Sequence, residues 1–295
     1  MLRRLEVFLI AAVFIFMSAV VLIIYSKQRE QEFKAHHMII QKAAVNGAAY
    51  AIDLQLVNKQ RHVRLFADEY AKLLTHLNMY PQDSKTEDDI KTRLQQRFPD
   101  FFTYTITDKS GTPKLFDIES FVGEACQRDL SSFVKGLQHK TKKDVVRNKI
   151  FIHPQSLHYH YDVMAPLYQN GGGGSADIFF ISFYLKEISN ILKTHETPGN
   201  QLILVKQSDS SLIEVNSTGA RDKISREIRL NKDEMRHIEV FKDIPGTDWR
   251  LINLADSTYL KQYKMGLWKE AGIILLIEFI SIFLLIFILL RLRSK

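Results

Sequence analysis

Three histidines and a carboxylate crowd one short run, HPQSLHYHYD, as His153, His158, His160 and Asp162. Imidazoles and carboxylates are both metal ligands and hydrogen-bonding groups, so the run could hold an ion or a polar ligand. At the two-residue period of a strand, His158, His160 and Asp162 share one face. The outer pair of such a row is ~13 Å apart, too far for one ion, so any metal would need two of them and a residue from elsewhere in the chain. The expectation is therefore no metal. A polar strand face opposite Leu157, Tyr159, Tyr161 and Val163 is the plainer reading. If that face looks into a cavity, His158, His160 and Asp162, together with Tyr104, can hydrogen-bond a small ligand.

Other chemistry is thinly supplied. The sequence has no Gly-x-Ser-x-Gly elbow, phosphate loop, dinucleotide fingerprint or His-Glu-x-x-His, so no catalytic residue, cofactor or enzyme activity is expected. Cys126 is the only cysteine, which excludes an internal disulfide and any multi-cysteine metal site. Gly171 to Gly174 lack the lysine and the strand-to-helix context of a phosphate cradle. Glu278 lies inside an apolar run, where a carboxylate costs on the order of 2 to 3 kcal/mol unless it is protonated, reaches water or finds a partner. It is the candidate contact to a partner within the membrane.

The elements that must position these groups begin with Phe98 to Asp117. Phe102, Tyr104 and Ile106 alternate with Thr103, Thr105 and Thr107, a strand with one apolar and one polar β-branched face. Asp108-Lys109-Ser110-Gly111 supplies a turn, and Pro113 to Phe116 is expected to return as the partner strand. Upstream, Ile52, Leu56, Val63, Phe66, Tyr70, Leu73 and Leu77 form one helical stripe. Ala43, Ala44, Gly47, Ala48 and Ala51 permit close helix approach, either within the chain or across a homodimer seam. Pro81 ends this helix, and Ser84-x-x-Glu87 reads as a capping box for a second one. Leu130, Phe133, Val134 and Leu137 mark a short amphipathic helix. Strand-like runs follow at Val145 to Ile152, Leu157 to Tyr168 and Ile178 to Leu185, the last two flanking a loop, Gln169 to Ser175. After a helix at Lys186 to His195, Pro198-Gly199 opens a smaller group of strands at Gln201 to Val205, Leu212 to Asn216, His237 to Ile244 and Trp249 to Ala255. Trp249 reads as core and Trp268 as an interfacial anchor.

Two segments are of membrane length. Val7 to Tyr25 carries no charge and Ala271 to Leu290 carries one, and each can cross ~30 Å of hydrocarbon. Arg3, Arg4, Arg291, Arg293 and Lys295 flank them in short tails, which the positive-inside rule assigns to the cytoplasm. The net charge of +7 is thus no nucleic-acid footprint. The expected location is a bacterial inner membrane, with both termini cytoplasmic and residues 26–270 periplasmic. The divisions are a tail at 1–6, spans at 7–25 and 271–290, a stalk helix at 26–80, a membrane-distal lobe at 81–197, a membrane-proximal lobe at 198–256, a juxtamembrane helix at 257–270 and a tail at 291–295.

In this order, FTYTITDKSG, VMAPLY before a glycine loop, IFFISFYLKEISNIL and DIPGTDWRLINLA between two spans resemble the double Cache sensor domains of bacterial receptors, over roughly residues 30 to 260. The resemblance implies an α+β fold of two Per-Arnt-Sim-like antiparallel lobes on a long N-terminal helix. It also implies a sensor that binds a small ligand, such as an amino acid, amine or carboxylate, in the distal lobe. The arginine-tryptophan-tyrosine motif of amino-acid-binding members is absent, since residues 118–145 hold neither Trp nor Tyr. Only Arg291 to Lys295 follow the second span, so output is expected through a separate effector of kinase, cyclase or chemotaxis type. The alternative is a non-catalytic envelope scaffold whose lobes bind proteins.

Overall fold

A computed structural model describes residues 2–114, 124–137, 148–153, 158–168 and 177–292. The expected return strand beyond Lys114, the start of the Val145 run, Leu157 and the glycine loop lie outside these residues. The chain divides into one unit formed by residues 1–41 and 255–295 and another formed by residues 42–254.

The first unit is helical. It holds the N-terminal part of α1 (Leu2–Glu69) and all of α7 (Ser257–Leu292), each long and apolar enough to cross a membrane. Within it, Phe33 stacks on Tyr263 at 3.6 Å and on His37 at 5.8 Å. Ser18 Oγ donates to Glu278 Oε1 at 2.6 Å. The carboxylate flagged by its cost in hydrocarbon thus hydrogen-bonds the chain's own first span.

The second unit is α+β, with two sheets, the first of them packed on α1 through Phe66 against Phe179. α1 ends at Glu69, and the expected stripe breaks at Tyr70 before α2 (Ala71–Met79), so the phase shifts and Leu74 and Leu77 are buried where Leu73 and Leu77 were expected. α3 (Ser84–Arg97) is capped one residue earlier than the capping box predicts, because the Asp83 side chain accepts from Thr86 N. Gly47 and Ala48 meet the chain itself: a Cβ on Gly47 would lie 3.1 Å from the His195 ring.

The first sheet has the order β1-β4-β3-β2, from β1 (Phe101–Thr107), β2 (Ile152–His153), β3 (His160–Leu167) and β4 (Asp177–Tyr184), all antiparallel. After β1 the predicted turn forms. Asp108 Oδ1 accepts from Ser110 N and Thr112 N, Gly111 takes φ 87°, and Lys114 N returns to Ile106 O at 3.0 Å. α4 (Glu124–Leu137) lays Cys126, Leu130, Phe133 and Leu137 on Met164, Ile178 and Phe180 of the sheet. α5 (Lys186–His195) leads to the second sheet, ordered β7-β6-β5-β9-β8, from β5 (Asn200–Lys206), β6 (Asp209–Asn216), β7 (Gly219–Ala220), β8 (Val240–Asp243) and β9 (Trp249–Ala255). A short α6 (Lys232–Arg236) precedes β8. Ile203, Val205, Ile213, Leu230, Ile252 and Leu254 form this lobe's core. Trp249 is fully buried and meets Tyr161 of the first sheet edge-on at 6.3 Å.

Candidate functional site

The register of the first sheet decides which side chains can meet. Directly paired residues share a face, so Asp162, Ser182 and Thr103 form one row, while Tyr104, Ile181 and Val163 form the next row on the opposite face. Tyr104 therefore points away from Asp162. Its ring packs beside Phe179, which stacks on Phe66 of α1, and its hydroxyl has no partner among the described residues. Burial, followed by Glu87 and Asp88, pushes the phenol well above its ordinary pKa. Tyr104 is a core residue here, and the structure does not bring it to the other predicted ligand groups.

The reason is a β-bulge. Phe101 pairs with Phe183 and Thr103 with Ser182, so Phe102 is an extra residue. It turns onto the face of Thr103, where it packs against His160 at 5.5 Å and His158 at 5.7 Å. Strict alternation assigns Phe102 and Tyr104 to one face; the bulge separates them.

On the α4 face, three elements converge on a buried polar cluster. β3 brings His160 and Asp162, β2 brings His153, and α4 brings Cys126 and Asp129. His153 Nε2 lies 2.9 Å from Asp129 Oδ2 and 3.4 Å from Asp162 Oδ2. His160 Nε2 lies 3.6 Å from Asp162 Oδ1 and 3.8 Å from Cys126 Sγ. Ser182 Oγ donates to Asp162 Oδ1 at 2.6 Å, whereas Asp162 Oδ2 has no hydrogen-bond partner among the described residues. Asp162 is only 2% exposed. Asn148 fixes the backbone beside it: its Nδ2 donates to Asp162 O at 2.9 Å, and its Oδ1 accepts from Met164 N at 3.1 Å.

The two buried imidazoles are tuned in opposite directions. Burial works against protonating His153, but Asp129 and Asp162 outweigh it and raise its pKa. For His160, burial dominates over the pull of Asp162 and the pKa falls. Such divergence within one cluster is a mark of a functional site as well as of ion-pair networks.

His158 stands apart from this cluster. It is half-buried, lies edge-on to Tyr184 at 5.6 Å, and lines a cleft of ≈ 1080 Å³ that also takes in Lys186, Glu187, Lys193 and Lys223. Of the predicted ligand residues, the structure thus unites His160 and Asp162, moves His158 to the cleft, and sends Tyr104 to the opposite face. Cys126 and Asp129 were missed by sequence reasoning. A signal for Cys126 existed, since it stands four residues before Leu130 and extends the stripe of α4 by one turn.

No family model and no curated protein sequence matches the chain. Among solved structures it is similar to the sensor domain of the Vibrio cholerae histidine kinase DctB, at 9% identity and TM-score 0.46, covering 78% of this chain and 99% of that one. It is also similar to the ligand-binding domain of Mlp24 with asparagine, at 12% identity and TM-score 0.46, covering 80% and 98%. A third is the ligand-binding domain of the Pseudomonas aeruginosa amino-acid chemoreceptor PctB in complex with L-Arg, at 12% identity and TM-score 0.46, covering 78% and 97%.

Proposed function

We propose that this chain is an inner-membrane sensor whose first lobe takes a small extracytoplasmic ligand at the α4 face of its sheet and passes the change through α1 to a separate effector. The observation that carries the reading is the cluster around Asp162. A polar, partly unsatisfied group of side chains is buried in an otherwise apolar sheet of the lobe that packs on α1, and α1 continues without interruption into a membrane-length segment. Buried polar atoms without partners cost stability, so their retention supports a use in binding. A ligand shifts the lobe only by its differential affinity for two arrangements, and the cluster joins three elements that can move apart.

In this reading both termini are cytoplasmic and residues 26–270 face the periplasm. The effector is a membrane or cytoplasmic protein of kinase, cyclase or chemotaxis type. Tyr50 and Leu54 are exposed on α1 and are what the stalk offers a second copy of the chain. The test is a thermal-shift panel on the full chain in detergent, using amino acids, amines, carboxylates and divalent metal ions. At least one class should raise the melting temperature, and Asp162→Asn should abolish that shift. A shift untouched by Asp162→Asn but lost in His158→Ala would move the site to the cleft. No shift with any compound, together with capture of an envelope protein, would favour the scaffold reading.

A further inference from the structure

We propose that Cys126, His153 and Asp162, with His160 beside them, bind one divalent transition-metal ion of the zinc class between α4, β2 and β3. The inference rests on the reading of this cluster as the lobe's ligand site and names the ligand.

Donor spacing is the first argument. Tetrahedral zinc with bonds of 2.0 to 2.3 Å requires ligand atoms about 3.3 to 3.6 Å apart. The contacts of 3.4 Å for His153 Nε2 to Asp162 Oδ2 and 3.8 Å for Cys126 Sγ to His160 Nε2 fall at or just above those edges, while His160 Nε2 approaches the other Asp162 oxygen, Oδ1, at 3.6 Å. Cys126, His153 and Asp162 offer donor atoms all within 4.8 Å of one another. Unlike a row on one strand, this set draws on three elements that approach from different directions, as a closed coordination shell requires.

The second argument is the state of the donors. Asp162 Oδ2 is buried, lies 3.4 Å from His153 Nε2 and has no hydrogen-bond partner among the described residues. An ion between them would supply Asp162 Oδ2 with the partner it lacks and would take His153 Nε2 in exchange for its contact with Asp129. The outer groups already orient the donors in the manner of metal sites. Ser182 holds Asp162 Oδ1 and leaves Oδ2 to the cluster. His160 Nδ1 faces the His158 carbonyl at 3.5 Å, which favours the tautomer whose lone pair is on Nε2, the nitrogen beside Cys126. Asp129 Oδ2, 2.9 Å from His153 Nε2, is one more oxygen beside the shell.

The third argument is chemical. A thiolate, an imidazole and a carboxylate suit Zn²⁺ or Co²⁺ and disfavour Mg²⁺ and Ca²⁺, which take oxygen shells. Binding releases the thiol proton and leaves the ion without a change of oxidation state.

The test uses the full chain in detergent, stripped with a chelator under a non-thiol reductant and then loaded with Co²⁺ or Zn²⁺. One equivalent of Co²⁺ should bind, with a near-ultraviolet thiolate-to-cobalt band and the intense visible absorption of a tetrahedral ion. Cys126→Ser, close to isosteric, should remove the ultraviolet band. Asp162→Asn should weaken Zn²⁺ in competition with a chromophoric chelator by at least about tenfold, and Ser182→Ala by roughly tenfold. The wild-type spectrum needs no variant, so a misfolded mutant cannot mask the answer. Weak octahedral absorption that is equal in wild type and Cys126→Ser, or no metal retained, would overturn the metal assignment. If an organic compound then raised the melting temperature in an Asp162-dependent way, the sensor reading would survive without it. Zn²⁺ bound at one equivalent, with the full chain responding to no change in its concentration, would keep the site and remove the sensor reading.

Discussion

Gln60 of α1 donates from Nε2 to the backbone carbonyl of Asn148 at 3.0 Å, and the Asn148 side chain in turn clasps Asp162 O and Met164 N. Two short links therefore join the long helix to the backbone of the candidate site. The Asn148 amide does for β3 what a neighbouring strand would do, at a place where β2 is only two residues long.

Asn148→Ala removes both of these bonds, together with the 3.2 Å bond from Asn148 Nδ2 to Lys149 O, and leaves Asp162 O and Met164 N in a buried setting. Each unsatisfied group costs about 1 to 3 kcal/mol, so the variant should lose roughly 2 to 6 kcal/mol in denaturant unfolding of the full chain. Gln60→Ala spares those bonds and should cost about 1 kcal/mol. Equal losses in the two variants would contradict the clasp.

Lys59, one residue earlier, is 7% exposed, and its Nζ lies 2.8 Å from both Asp100 oxygens and 3.1 Å from Glu187 Oε2. Burial holds the Asp100 carboxyl above the usual carboxylate range despite the opposing pull of Lys59. Lys59→Met keeps the packing over the Phe183 ring but strands the Asp100 carboxylate, and it should destabilise by about 3 kcal/mol. Lys59→Met with Asp100→Asn should recover part of that loss. No recovery would mean that the stem of Lys59, and not its charge, is what the site requires.

Most elements were legible because their signals are local. The strand-like runs of β3, β4 and β9, the Asp-Gly turn after β1 and the stripe of α4 each depend on neighbours a few residues apart. The site was legible only in part. A single extra residue at Phe102 reverses the faces that alternation assigns, and no spacing rule announces a bulge. Cys126 and His153 reach Asp162 only through tertiary packing, which a one-strand argument about metal spacing cannot include. Ser18 is likewise one polar residue in a span, and its pairing with Glu278 joins helices 260 positions apart in sequence.

That pair predicts a small coupling. Interhelical hydrogen bonds in membranes average ~0.6 kcal/mol, so Ser18→Ala and Glu278→Leu should each leave insertion intact. In a double-mutant cycle on the unfolding of the full chain, their coupling should be below about 1.5 kcal/mol. If Glu278→Leu abolishes co-purification with an effector while Ser18→Ala does not, Glu278 also contacts the partner protein.

In the second lobe, Glu214 is 2% exposed and lies 2.5 Å from Arg221 Nη2. Burial raises its carboxyl pKa above the ordinary 4.5 despite the pull of Arg221. Arg221→Ala should raise it further and cost about 3 kcal/mol at neutral pH, where the lone carboxylate is charged. Because the folded pKa is the raised one, the penalty develops as pH climbs from 4.5 through the folded value and vanishes below 4.5. Unfolding of the variant at pH 4 and pH 8 checks the sign. An equal loss at both would assign the effect to packing on Tyr159, over which Arg221 sits at 5.3 Å.

Hydrogen–deuterium exchange on the full chain in nanodiscs tests the central claim most directly, comparing the stripped protein with protein saturated by whichever compound or ion gives the largest thermal shift. The account predicts slower exchange in β2, β3 and α4, accompanied by altered protection in α1 over residues 42–69. Protection confined to α5 and residues 217–223, with β2, β3 and α4 unchanged, would place sensing in the cleft and contradict it.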